Sequence, residues 1–427
     1  MLKPKDYRAA IGNSEYFPLM IGGMGVDIST SEMVLEAVRL GCVAHLSDAM
    51  LPAVADRHFG TTFTRNKLDQ HRRLQAEEFI QDRVPQFNPH EYRLAQMQYI
   101  AETVNKKKGT GGVFINCMEK LHAGSSQDIL GIRLKASLDA GVDGITLSAG
   151  LHGSSMKLMA DHPRFRDVKI GIVVSSWRAL RLFLRSSSRA GRLPDYIVVE
   201  GPLAGGHLGF GDDWAQHDLK EIFMDVMTNL ANEELNIPVL AAGGIFDAED
   251  TMSFLKMGAA GVQVATRFTV AKESGLSDRA KQAFFEAEEE DVFVAPVSPT
   301  GYPIRLLRSS PCLNSNVAPR CETLGYVLDA KGRCQYIDAY HATGISETGK
   351  KLPVAEKVCI CHHIGRYDVW TCGSNVVRLK ETVTKNAKGI YDLPMTAQII
   401  QEYLGEQPPL YAATPIPQDR PMPEVRM

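Results

Sequence analysis

The sequence predicts an α/β protein, a (β/α)8 barrel carrying an insertion after its second strand and a cysteine-bearing segment after its last. Three observations predict it. Eight short, apolar, β-branched runs alternate with amphipathic helix-like stretches up to about residue 308. The runs are near-continuously apolar, as strands buried on both faces of a parallel sheet must be. Small or polar residues follow nearly every run, which suits the carboxyl-terminal rim of a barrel, where backbone approaches a ligand closely.

In order, the strand candidates are 17–21, 42–46, 112–116 and 143–147, then 169–174, 195–199, 237–242 and 261–265. Eight units favour a closed barrel, with an open doubly wound sheet as the alternative. One interval is too long. About 65 residues separate the second and third runs, where a βα unit needs on the order of 30. Residues 50–92 therefore read as an insertion, either a lid at the barrel mouth or a plain surface helix.

The 427 residues divide into a barrel over 1–308, a cysteine-bearing module over 309–405 and a proline-rich tail over 406–427. A net charge of −3 gives no reason to expect nucleic acid. No apolar run reaches the roughly 20 residues a bilayer span needs. The opening "MLKPKDYRAA" lacks a signal-peptide core. With eight cysteines and no secretion signal, the expected compartment is a reducing cytoplasm.

Chemistry concentrates at strand ends. After the seventh run come Gly243 and Gly244, and Asp247 can cap the following helix. The eighth run leads into Ala265 and Thr266. Amides at these two places build the anion pocket found in many barrels. No Gly-x-Gly-x-x-Gly stretch with a downstream acid is present, which argues against a Rossmann dinucleotide site. After the sixth run, "EGPLAGGHLG" (200–209) sets His207 among glycines that let a substrate come close to the ring. An imidazole titrates near neutrality and can take or return a proton. Glu200 could orient His207 or bind a ligand hydroxyl, since a buried carboxyl needs some partner. His152 is a weaker candidate on the same rim.

The order of "PLMIGGMGV" (18–26), "GVFIN" (112–116), "AGGHLG" (204–209), "PVLAAGGI" (238–245) and "VQVATRF" (262–268) resembles the nitronate monooxygenase (2-nitropropane dioxygenase) family. That family is related to FMN-dependent enoyl-acyl-carrier-protein reductases. "EAEEED" (286–291) and "SPTGYPIR" (298–305) extend the likeness to about residue 307. Ala265 stands where the family has glycine, which keeps the amide donor. The resemblance implies FMN, its phosphate on Gly243, Gly244, Ala265 and Thr266 and its ring against Gly22, Gly23 and Met24. Asn116 and Ser175 would be polar contacts of the ring, with Glu200, Gly205, Gly206 and Ala242 completing the cofactor set. It implies that His207 is the general base or proton donor.

The implied activity is oxidation of nitronates or nitroalkanes by oxygen, with a small-molecule substrate. The alternative is an NAD(P)H-dependent FMN reductase of enoyl thioesters or quinones, for which an acyl carrier protein would be a partner. A different class is a redox or metal-binding partner protein acting through the late cysteines. Cys321, Cys334, Cys359, Cys361 and Cys372 are candidate ligands for zinc or an iron–sulfur cluster, though no pair has C-x2-C spacing. Reduced structural thiols are the default reading in a cytosolic chain. Arg178, Arg181, Arg185, Arg189 and Arg192, three or four apart, fall on one helix face. They read as a solvated stripe, or as a dock for an acidic carrier or phosphorylated cofactor. A homo-oligomer through the insertion or the tail is a further possibility.

Overall fold

Eight parallel strands close into a barrel in chain order. They are β1 (Leu19–Ile21), β2 (Val43–Ser47), β3 (Gly112–Met118), β4 (Gly144–Ser148), β5 (Lys169–Val174), β6 (Tyr196–Glu200), β7 (Val239–Ala242) and β8 (Gly261–Val264). The ring shuts where β8 pairs with β1, Val262 opposite Leu19 and Val264 opposite Ile21. The computed structural model describes residues 2–67, 69, 88–119, 126–319 and 333–406. The closed barrel excludes the open doubly wound alternative.

Inward residues fall in layers. The floor is apolar: Met20, Val43, Phe114, Tyr196, Val198 and Leu240 pack with Ile11 and Tyr16. Those last two come from an antiparallel hairpin, Ala9–Ile11 with Ser14–Tyr16, that plugs the amino-terminal end. The Phe114 ring sits 6.2 Å from Tyr16 and 6.0 Å from Tyr196, within aromatic contact range. Gly171 has to be glycine here, because a Cβ would lie 2.1 Å from the Tyr196 ring. His45 is also enclosed. Its Nδ1 is 2.7 Å from the Ile21 carbonyl oxygen, its Nε2 meets the Thr146 hydroxyl, and burial pushes its pKa down to about 4.

Helices cover the outside and bury one stripe each. Trp177–Arg189, which follows β5, buries Leu180, Phe183, Leu184 and Ser187 at helical spacing. Ser176 caps it, its hydroxyl accepting from the Ala179 amide at 3.2 Å. Its arginines depart from the sequence reading at one position. Arg178, Arg181, Arg185 and Arg189 are exposed. Arg192 lies past the helix end and turns inward to the Val168 carbonyl and Asp195.

The predicted insertion begins with a helix, Leu51–Phe59, directly after β2. Residues 68 and 70–87 of it, on which the lid reading falls, lie outside the described residues. Pro89–Asn105 is the helix that leads back to β3. No described helix is long and apolar enough to cross a membrane.

Many of the described residues after 308 pack against the barrel. Cys312, Val358, Ile360, Cys361, Val369, Ile399, Ile400 and Tyr403 join the main barrel core. Trp370, Cys372, Val376 and Leu379 join a second cluster with Phe246, Val270 and Phe284. Among the described residues, Cys334, Tyr336, Ile337, Val354 and Cys359 form a cluster of the segment's own. The proline-rich tail from 407 and Cys321 lie outside the described residues.

Candidate active site

A cavity of about 560 Å3 opens over the carboxyl ends of the strands. That is within the roughly 300–1,000 Å3 of pockets that take cofactors and drug-sized ligands. Every residue singled out from the sequence as a cofactor contact lines it: Gly22, Gly23, Met24, Asn116, Ser175, Glu200, Gly205, Gly206, Ala242, Gly243, Gly244, Ala265 and Thr266. His207 lines the same space. His152 does not. It is fully buried with φ +49°, Nδ1 2.7 Å from Ser155 Oγ and Nε2 2.7 Å from the Ser148 carbonyl, a satisfied structural histidine.

One end of the cavity is formed by the glycine turn after β7 and the loop after β8. Gly243 and Gly244 have φ of +93° and +86°, a turn that side chains rarely adopt. A Cβ on Gly243 would also lie 2.9 Å from the Gly201 carbonyl. The turn leads to Asp247, whose carboxylate accepts from the Glu249 and Asp250 amides at 3.0 Å and starts the helix Ala248–Lys256. Opposite, Ala265 precedes the short helix Thr266–Thr269. Arg267 sits buried behind both loops, paired with Glu402 and stacked against Phe246 and Tyr403.

Toward the barrel axis the lining turns polar. Glu200, Ala242 and Gln263 are paired neighbours across β6, β7 and β8, so they share the inner face. The Gln263 Oε1 is buried without a hydrogen-bond partner among the described residues. Burial pushes the Glu200 carboxyl up to about 7. These groups leave hydrogen-bonding capacity on the cavity wall.

The Glu200 shift has a testable sign. A carboxyl whose folded pKa is raised stabilises below its unfolded value near 4.5 and loses that contribution as pH rises through about 7. Ligand-free Glu200→Gln should therefore gain on the wild type by about 2 kcal/mol at pH 8 relative to pH 5. Denaturant melts at the two pH values measure this, and equal gaps would rule it out.

His207 belongs to a two-residue strand, Gly206–His207, paired antiparallel with Ile304–Leu307. Arg305 of that strand is buried, donating to the Pro202 and Ala204 carbonyls at 2.6 Å and lying over the Trp214 ring. It holds the glycine loop in place. His207 Nε2 is 2.6 Å from the hydroxyl of fully buried Ser298, which in turn is 2.8 Å from Thr300 Oγ1. Burial lowers the imidazole pKa to about 4, so it is neutral at physiological pH. Glu200 has no hydrogen bond to His207, so the orienting role belongs to Ser298 rather than to the acid. Sequence reasoning missed Ser298, although it opens the quoted "SPTGYPIR" stretch. It also missed Gln263, which lies inside "VQVATRF".

Among the described residues, Cys334 and Cys359 share one cluster while the other candidate cysteines lie elsewhere. Cys359 packs in the segment's own cluster, Cys361 in the barrel core, and Cys372 in the second cluster at the cavity wall. Burial raises the Cys372 thiol to about 12. No group of three or more His, Cys, Asp or Glu able to hold a metal occurs among the described residues. The zinc or iron–sulfur reading therefore has no assembled ligand set among the described residues, and Cys321 lies outside them.

Residues 61–356 match the model of the nitronate monooxygenase family. A probable nitronate monooxygenase of Staphylococcus saprophyticus is 36% identical over 111 residues, 26% of this chain and 31% of that protein. The nitronate monooxygenase of Paraburkholderia phytofirmans is 35% identical over 105 residues, 24% of this chain and 28% of its own. The aligned stretches thus span about a third or less of these curated relatives. Among solved structures, nitroalkane oxidase from Streptomyces ansochromogenes superposes with a TM-score of 0.56 at 15% identity, covering 91% of this chain and 95% of that one. FabK from Thermotoga maritima superposes with a TM-score of 0.52 at 18% identity, covering 91% of each chain. At such identities these two speak for the fold alone. With the family match extending over most of the barrel and the barrel itself closed, this chain belongs to the nitronate monooxygenase family.

Proposed function

We propose that this chain is an FMN-dependent oxidoreductase that oxidises a nitronate or nitroalkane with oxygen, with His207 as general base toward the neutral nitroalkane. The observation that carries this reading is a neutral, half-buried imidazole on a glycine loop, facing the same cavity as the paired glycines after β7. FMN when bound supplies the redox chemistry, accepting reducing equivalents from the substrate carbon and passing them to oxygen.

The protein's part is binding, orientation and proton transfer. Amides around Gly243, Gly244 and Ala265, with the Thr266 hydroxyl, bind the phosphate. Gly22, Gly23 and Met24 back the ring, while Asn116, Ser175, Glu200 and Gln263 satisfy its polar edge. Ser298 accepts from His207 Nε2–H and holds the tautomer whose Nδ1 lone pair removes the α-proton. A pKa near 4 keeps that lone pair free throughout the neutral range.

A second reading, NAD(P)H-dependent reduction of an enoyl thioester or quinone, draws on one observation. The helix carrying exposed Arg178, Arg181, Arg185 and Arg189 also lends Ala179 and Phe183 to the cavity wall. A phosphorylated second substrate would suit that neighbourhood. Anaerobic absorbance separates the two. Flavin bands bleached by propyl nitronate and untouched by NADH or NADPH are the expected result. Bleaching by pyridine nucleotide alone would replace the oxidase reading with the reductase, and protein unable to take up FMN would end both.

A further inference from the structure

The family match stops at residue 356, yet the cavity wall continues past it. Thr371, Cys372, Gly373 and Asn375 all line the cavity. This stretch reaches three strand-end loops at once. The Gly373 amide donates to Thr266 Oγ1 at 2.9 Å, beyond β8. Asn375 Nδ2 donates to the Gly244 carbonyl at 2.6 Å, beyond β7. The Ser374 amide donates to the Leu203 carbonyl at 3.1 Å, and the Cys372–Gly373 peptide lies so near Gly205 that a Cβ there would be 2.5 Å from it, beyond β6.

Each contact acts on a group assigned above to the anion seat or to the histidine loop. By filling a lone pair of Thr266, the Gly373 amide leaves the threonine O–H as the donor free to point elsewhere. By holding the Gly244 carbonyl, Asn375 fixes the peptide plane whose far side is the Ile245 amide. That fixes an amide direction in a turn that glycine alone would leave loose. The stretch is itself anchored from outside. Arg378 pairs with Asp247 at 2.8 Å and lies 4.2 Å over the Phe246 ring.

We infer that residues 371–378 form a clamp that positions the phosphate-binding loops for FMN, with Asn375 as its principal positioning residue. This rests on the FMN reading proposed above. The clamp acts through Gly244 and Thr266 rather than on the phosphate directly. It therefore predicts a penalty confined to flavins that carry the phosphate.

The test measures dissociation constants of FMN and riboflavin by quenching of flavin fluorescence, for wild type, Asn375→Ala and Arg378→Ala. A hydrogen bond is worth about 0.5–1.5 kcal/mol net, so Asn375→Ala should weaken FMN about 2- to 13-fold. Riboflavin should change less than about twofold, and the far-ultraviolet circular dichroism melt of the ligand-free variant should match the wild type. Arg378→Ala, on the partly exposed outer side, should weaken FMN about two- to threefold by the same route and serves if the first variant folds poorly. Equal weakening of both flavins would mean general loosening and overturn the clamp. Normal FMN binding that neither variant disturbs would overturn it as well and leave the FMN reading standing. A wild type that binds neither flavin would overturn both.

Discussion

His207→Ala should lower kcat/KM for a neutral nitroalkane by about 10²- to 10⁴-fold, the usual worth of a positioned general base. Turnover of the preformed nitronate should fall less than about tenfold, because its α-proton has already gone. Occupancy by FMN should be unchanged, since the ring nitrogens of His207 are not part of the anion seat. The comparison of the two substrate forms isolates proton removal from binding. A pH profile adds a second check. An ordinary histidine would make the neutral-substrate reaction fall off near 6.5, whereas burial holds this one near 4. In the wild type, no loss attributable to His207 should appear between pH 6 and 8. Ser298→Ala should retain the chemistry but lower kcat with the nitroalkane about tenfold, because the tautomer is no longer held. If His207→Ala slowed nitronate and nitroalkane alike, the imidazole would be a binding group and the base would have to be sought elsewhere.

Arg133→Ala should cost about 3–5 kcal/mol of folding stability, the penalty of leaving a buried charge without its partner. Arg133 and Asp48 are both fully enclosed and form a direct ion pair. Arg133 Nη2 also donates to the Met118 carbonyl at 2.7 Å, while the Met118 amide donates to Asp48 Oδ1 at 3.3 Å. The pair thereby locks the end of β2 to the end of β3, directly under Ala49 and Met118 of the cavity wall. Its net worth is another matter, because desolvation opposes the Coulomb attraction. The double variant Asp48→Asn, Arg133→Met should therefore recover most of the loss. Urea unfolding of the two single variants and the double variant measures this. A loss below about 1 kcal/mol in Arg133→Ala would show that water or a nearby group neutralises Asp48 without the arginine.

Much of the site was legible because its signals are local. Gly243 and Gly244 announce a turn through their own backbone freedom, and Asp247 announces a helix start three residues on. His207 stood out because glycines surround it at the end of an apolar run. Strand ends shifted by one or two residues, as with 237–242 becoming Val239–Ala242. Such shifts leave the inner face unchanged only where the alternation of side chains is respected, which it was at Glu200, Ala242 and Gln263. Arg192 shows the opposite limit. Helical spacing placed it on the stripe, but the helix ends at Arg189, and Arg192 turns inward to the Phe165 and Val168 carbonyls of the segment before β5.

By itself, then, the sequence determined the barrel, the order of its strands and the rim where the candidate cofactor contacts collect. Those follow from strand periodicity, helix amphipathicity and glycine placement, each a property of a dozen neighbouring residues. Only the tertiary structure decided what holds the rim together. Ser298 is 91 residues from His207, Asn375 is 131 from Gly244, and Glu402 is 135 from Arg267. A pairing over such distances leaves no periodic trace in either segment, because each partner satisfies its hydrogen bond only after the barrel has closed and brought the loops together.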